Sequence, residues 1–125
     1  MTDQRKNTIN FATTNARSLA PKIESAIDVI NELDLSFLAI TETWLRNGRT
    51  LENNVQDLEL GTGISIIHRA REGRRGGGVG ILYKPDKISL KQYPMKGNKY
   101  EVAAASGKIP NNTRKICIVL SLIHI

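Results

Sequence analysis

Leu35-Ser36-Phe37-Leu38-Ala39-Ile40-Thr41-Glu42-Thr43-Trp44-Leu45 is the stretch whose reading decides the fold. Its first part, 35–41, is short and apolar enough for a strand buried on both faces. Its second part puts a carboxylate, Glu42, directly after that strand. A carboxylate in this position stands at the lip of a sheet, where ligands bind in open α/β architectures.

Upstream, the pattern changes period. Over 21–34, Ile23, Ala26, Ile27, Ile30 and Leu33 recur at helical spacing, while Lys22, Glu24, Ser25, Asp28, Asn31 and Glu32 fill the other face. Pro21 suits a first helical turn. Before the helix, 8–14 alternates loosely and reads as a strand that ends at Asn15. Strand, helix, strand makes a crossover unit whose two strands run the same way. Asn15 and Glu42 are therefore expected at one end of one sheet. An amide beside a carboxylate suits a hard cation and a phosphate. Spacing alone also allows blander roles: a solvated or capping glutamate, and an asparagine that closes a strand as a turn residue.

Downstream, 46–61 is irregular, with a short helix expected over 53–58. Strands are predicted over 63–68 and 78–84, joined by the basic, glycine-rich segment 69–77 as a hairpin with a long tip. A further strand over 88–93 precedes a second hairpin, 99–106 and 114–122, joined by 107–113. One crossover followed by antiparallel strands predicts a mixed sheet. His68 reads as a strand-end residue, and neither it nor His124 stands in a catalytic pattern.

The chain of 125 residues is one domain at most. Its 18 Lys and Arg against 12 Asp and Glu give a net charge of +6, a balance that attracts polyanions through phosphate contacts. Charge of this size is also common without such a partner, so its clustering matters more. Arg69, Arg71, Arg74 and Arg75 crowd one loop. Cys117, the single cysteine, reads as a small buried core residue and excludes an intrachain disulfide. The polar start 1–6 is no secretory signal, and the apolar end 116–125 is shorter than the about 20 residues a membrane span needs. The expected location is intracellular, nucleus or cytoplasm, with no membrane partner. The segment 74–78 is no Walker loop, since no Gly-Lys-Ser/Thr follows and it leads into a strand.

Three motifs occur in the order and rough spacing of one family: Asn15-Ala16-Arg17-Ser18-Leu19, then Thr41-Glu42-Thr43-Trp44-Leu45, then Arg75-Gly76-Gly77-Gly78-Val79-Gly80-Ile81-Leu82. Over 7–119 the chain resembles the N-terminal half of the apurinic-type endonuclease domain of LINE-type (non-LTR) retrotransposons. That domain belongs to the endonuclease/exonuclease/phosphatase superfamily. The resemblance implies an α/β fold: a partial four-layer α/β sandwich (DNase I-like) with mixed sheets, about half of the full domain. It leaves 1–6 as a disordered N-terminus and 120–125 as an atypical truncated tail.

The resemblance also implies roles. Glu42 is similar in place to the main ligand for Mg2+ (or Mn2+), and Asn15 would hydrogen-bond the metal shell or the scissile phosphate. These two are the implied catalytic residues. Arg17, Arg71, Arg74 and Arg75 are weaker candidates for DNA-backbone contacts, Arg17 being equally an ordinary surface arginine. Glycines 76–78 would open a core strand, and Trp44 and Leu45 are expected to pack beneath the site. The implied activity is nicking of target DNA by water attack on a phosphodiester, the released 3′ hydroxyl priming reverse transcription. DNA, the rest of the domain and a reverse transcriptase domain of the parent element are the implied partners.

The family's tyrosine, Asp-x-Asn pair and closing Ser-Asp-His run do not appear, so this chain by itself is expected to be inactive or nearly so. Other readings are a non-catalytic nucleic-acid-binding fragment, an inert mobile-element remnant and, among enzymes, a phosphatase relative acting on nucleotides or inositol phosphates.

Overall fold

The computed structural model describes residues 9–45, 63–69, 77–93, 101–110 and 115–122. The expected disordered start, the short helix over 53–58, Arg71, Arg74, Arg75, Gly76 and His124 lie outside the described residues.

β1 (Phe11–Asn15) leads through a 3-10 turn (Ala20–Lys22) into α1 (Ile23–Glu32) and on to β2 (Phe37–Thr41). Ile23, Ile27 and Ile30 form the buried stripe of α1, as the spacing predicts. The helix ends sooner than 34 because Asp34 takes a left-handed conformation, φ 52°. Leu35 N–H then donates to the Ile30 carbonyl at 2.9 Å and Asp34 N–H to the Asn31 carbonyl at 3.3 Å. This paired closure satisfies helix-end carbonyls and buries Leu35 beside Ile30. A β-branched residue at 34 would break it, since φ above zero is strained for such side chains.

β1 and β2 pair in parallel, with Phe11 opposite Phe37 and Asn15 opposite Thr41. β3 (Ser65–Arg69) and β4 (Val79–Tyr83) follow, and β4 lies antiparallel between β2 and β3. The first sheet is therefore mixed, in the order β1-β2-β4-β3. β5 (Ser89–Tyr93), β6 (Glu101–Lys108) and β7 (Lys115–Leu122) form a separate antiparallel sheet in chain order.

The first sheet is the middle layer. Leu38, Ile40 and Leu82 face α1, joining Ile23, Ile27 and Ile30 in one core. Phe37, Ile67 and Ile81 face the second sheet, where Ile88 and Ala105 complete another. Because strand side chains alternate, one apolar strand serves both cores, which is why β2 is buried along its length to Ile40. The architecture is mixed α/β with two sheets, in agreement with the expected class.

Two expectations fail, each for its own reason. Cys117 is exposed, not in the core. Ile116, Ile118 and Leu120 take the inward positions of β7, so the period of two turns Cys117 and Val119 outward, Val119 being 64% exposed. Gly107, expected in the turn, is instead inside β6 opposite Ile116. A Cβ at Gly107 would lie 2.5 Å from Leu90 Cδ2 and 2.9 Å from the Ser89 carbonyl oxygen. Close approach of the neighbouring strand, not a turn, accounts for that glycine.

Candidate functional site

The parallel pairing of β1 with β2 brings Asn15 and Glu42 to one sheet edge. Asn15 stands opposite Thr41, so Glu42 is one residue further along the adjacent strand. Thr41 in turn faces Val79, and Val79 faces Arg69, so a single row crosses the sheet from Asn15 to Arg69. Gly77 and Gly78 immediately precede Val79 at this edge.

Pairing continues past the strand ends as a lacework of backbone hydrogen bonds. Ala16, Ser18 and Leu19 donate their N–H groups to the Thr41, Glu42 and Thr43 carbonyls at 2.9, 3.0 and 2.9 Å. On the other side, Thr43 and Trp44 donate to the Gly78 and Gly77 carbonyls at 3.2 and 2.8 Å. The segment 42–45 is thus held between two loops. Gly77 and Gly78 adopt φ of 64° and 83°, conformations that glycine alone reaches without strain. The glycines are structural, as expected from the sequence.

Backbone strain concentrates here. Arg17, Ser18, Glu42 and Trp44 all have positive φ (46°, 88°, 54° and 54°), a region costing non-glycine residues about 1–2 kcal/mol each. Such conformations persist only where the surroundings over-determine them, and they gather at ligand and catalytic sites. The crossing hydrogen bonds supply that determination.

The side chains differ in setting. Asn15 is exposed, and its Oδ1 accepts the Arg17 N–H at 3.2 Å, the local turn that asparagine favours. That bond uses one lone pair of Oδ1 and leaves the amide N–H groups outside it. Glu42 is partly buried and Arg17 exposed. Leu45 is buried at 2% exposure, as expected, but Trp44 is 42% exposed and does not pack beneath the site. Thr43 and Leu45 take the inward positions on either side of it.

Two contributors were not singled out by sequence. Thr43 is fully buried, and its Oγ1 accepts the Leu45 N–H at 3.4 Å, which fixes the turn below Glu42. Lys22, assigned to the helix's solvent face, reaches back to donate its Nζ hydrogen to the Ala16 carbonyl. A polar residue between two functional positions is the only sequence signal for Thr43; nothing in the pattern marks Lys22.

Asn15 Oδ1 and the Glu42 carboxylate are hard oxygen donors, one neutral and one anionic, and fit a magnesium-type ion that keeps most of its shell as water or phosphate. Among the described residues no group of three or more His, Cys, Asp and Glu is placed to hold a metal ion. Beside the site, a cleft of about 390 Å³ runs between β1 and α1, with Asn15 and Lys22 in its lining. Glu42 is not part of that lining. Among the described residues no helix is long and apolar enough to cross a membrane.

A family model described as the Endonuclease/Exonuclease/phosphatase family matches residues 9–120. Among solved structures, the chain is similar to ANGEL2, a 2′,3′-cyclic phosphatase, at 14% identity and a TM-score of 0.57, covering 89% of this chain and 39% of that one. It is similar to an AP endonuclease from Archaeoglobus fulgidus at 21% identity and a TM-score of 0.50, covering 82% and 38%. It is also similar to a 3′ phosphatase, NExo, from Neisseria bound to a product DNA hairpin, at 10% identity and a TM-score of 0.53, covering 90% and 40%. The chain spans about two fifths of the length of each of these three. No curated protein sequence matches it.

Proposed function

The chain belongs to the Endonuclease/Exonuclease/phosphatase family, and from that membership we propose that it carries the metal- and phosphate-holding edge of a phosphodiesterase that acts on DNA. The observation that supports this most is the strained, hydrogen-bonded edge that sets Asn15 opposite Thr41 and Glu42 one residue beyond. Pre-organisation of this kind suits a reaction whose protein contribution is chiefly positioning and electrostatics.

In this reading Glu42 would hold a divalent cation, Mg2+ or Mn2+. When bound, such an ion neutralises charge that develops on the phosphate oxygens. The Asn15 amide would donate to a non-bridging phosphate oxygen, adding a hydrogen bond without charge. Arg17, exposed at the same edge, would pair with a neighbouring backbone phosphate. Hydrolysis adds water at phosphorus and breaks one P–O ester bond. With a single carboxylate and no third metal-type ligand among the described residues, the expected turnover by this chain is low.

The finer reading is descent from a non-LTR retrotransposon endonuclease that nicks target DNA, acting in its parent element beside a reverse transcriptase. The Thr41-Glu42-Thr43-Trp44-Leu45 form, together with the triple glycine, supports it. The test is a Mn2+ titration followed by NMR. Paramagnetic broadening should centre on Asn15 and Glu42 and disappear in Glu42→Gln, and residual Mg2+-dependent nicking of supercoiled plasmid should vanish in Glu42→Ala. Broadening centred on another region, unchanged by Glu42→Gln, would refute the assignment.

A further inference from the structure

Trp44 is the chain's one tryptophan, and it lies 42% exposed two residues beyond Glu42. A large aromatic side chain in a protein with a 5% aromatic content would ordinarily be drawn into a core. Here both of its neighbours are enclosed: Thr43 is 0% exposed, and Leu45, in the core beneath α1, is 2% exposed. The alternation turns Trp44 outward, and the backbone holds it there. Its φ of 54° is a strained value for a bulky residue, and its N–H is anchored to the Gly77 carbonyl at 2.8 Å. The preceding residue is held in the same way, Thr43 N–H donating to the Gly78 carbonyl at 3.2 Å, so the segment that carries Trp44 is fixed from one side.

We infer that Trp44 is a stacking platform for a nucleobase, set beside the phosphate-holding edge so that one strand engages both. The inference rests on the proposed action on DNA and adds which part of the nucleic acid the chain grips. An indole face binds any base by stacking, without reading its hydrogen-bond pattern, and shows its preference for unpaired bases because a paired base has no free face. The cationic surroundings fit a polyanionic strand: Arg17 is exposed at the same edge, Arg69 closes the row that begins at Asn15, and the net charge is +6. Phosphate contact at Asn15 and Arg17 with base contact at Trp44 would orient the strand, since the two groups it recognises differ in kind.

The experiment uses the full chain and two probes of equal length and charge, an oligothymidylate and an abasic sugar–phosphate oligomer, each followed by anisotropy of an attached dye. Because the chain has one tryptophan, fluorescence excited at the red edge of the protein band, where its three tyrosines do not absorb, reports Trp44 alone. The oligothymidylate is expected to quench that fluorescence and to bind about ten-fold more tightly than the abasic oligomer, with the advantage lost in Trp44→Ala and largely kept in Trp44→Phe. Equal binding of the two probes without quenching overturns the inference and leaves DNA-backbone binding intact. Binding of neither probe overturns both. The wild-type quenching measurement decides the matter even if a Trp44 variant folds poorly.

Discussion

Ser18 donates its backbone N–H to the Glu42 carbonyl at 3.0 Å, and both residues sit at positive φ, 88° and 54°. Two strained tips, one from each strand of the parallel pair, thus brace each other. Neither conformation is favoured by its own residue type, so the strain is local while the determination comes from pairing across the sheet edge. A carboxylate at a relaxed strand end would be free to turn to solvent; this one is carried on a backbone that has little freedom left.

Glu42→Gly separates strain from chemistry. Glycine accepts φ 54° without steric cost, whereas alanine does not. After allowing for the greater entropy of glycine in the unfolded chain, Glu42→Gly should be more stable than Glu42→Ala by about 0.5–1 kcal/mol. Both should lose Mn2+ binding at the edge. Urea denaturation of the two variants measures the difference, and a less stable glycine variant would mean that the strain is not there.

The two packed glycines should respond differently to alanine. At Gly107 the added Cβ would meet Leu90 Cδ2 at 2.5 Å, which a side chain can vacate, and the Ser89 carbonyl oxygen at 2.9 Å, which the strand cannot easily move. Overpacking of this kind costs about 2–3 kcal/mol. At Gly80 the contacts are 3.3 Å to His68 Cβ and to Thr43 Cγ2, so the expected cost is nearer about 1 kcal/mol. Thr43 lies directly beneath the Glu42 turn, so only Gly80→Ala should also weaken Mn2+ binding. Thermal melts with a parallel metal titration test both halves of that statement.

Apolar truncations should rank by enclosure rather than by size. Ile40 is 0% exposed within the core beneath α1, so Ile40→Ala should cost about 3–4 kcal/mol. Phe11 stacks on Phe37 with ring centroids 5.0 Å apart and an interplanar angle of 5°, but it is 61% exposed on the edge strand. Phe11→Ala should cost no more than about 1 kcal/mol. A larger loss for Phe11 than for Ile40 in chemical denaturation would contradict the layer assignment.

What the sequence revealed, and what it hid, divides along a physical line. The stripe Ile23, Ile27 and Ile30 and the continuous apolar run of β2 are written in local periodicity, so α1, β2 and the meeting of Asn15 with Glu42 at one edge are legible in the residues alone. Exposure of Trp44 and Cys117 is not. Whether a residue on a regular element is covered depends on which neighbour lies against that face, and hydrophobicity alone assigned both of them to the interior. Gly107 misled for a related reason: glycine marks turns and close approaches alike, and only the position of β5 tells them apart. Lys22 was hidden because its role is a reach back to the Ala16 carbonyl, a tertiary contact that no spacing rule encodes.

That contact yields the last prediction. Ala16 begins the loop that carries Arg17 and Ser18, and the Lys22 ammonium group donates to its carbonyl oxygen from the start of α1. Lys22→Met keeps the aliphatic stem and removes the donor. Because Lys22 is exposed, the loss should be that of an ordinary hydrogen bond rather than of a buried charged one, about 0.5–1.5 kcal/mol, and it should fall on the loop rather than on the helix. Local opening then becomes easier by that amount, so the Ser18 and Leu19 amides should exchange with solvent deuterium about two- to ten-fold faster. Those two amides report directly because they donate to the Glu42 and Thr43 carbonyls. The Ile27 and Ile30 amides inside α1 serve as the internal reference and should keep their rates. Uniform acceleration across helix and loop would indicate global destabilisation instead, and unchanged loop rates would mean that the lacework between strand tips holds the edge without help from Lys22.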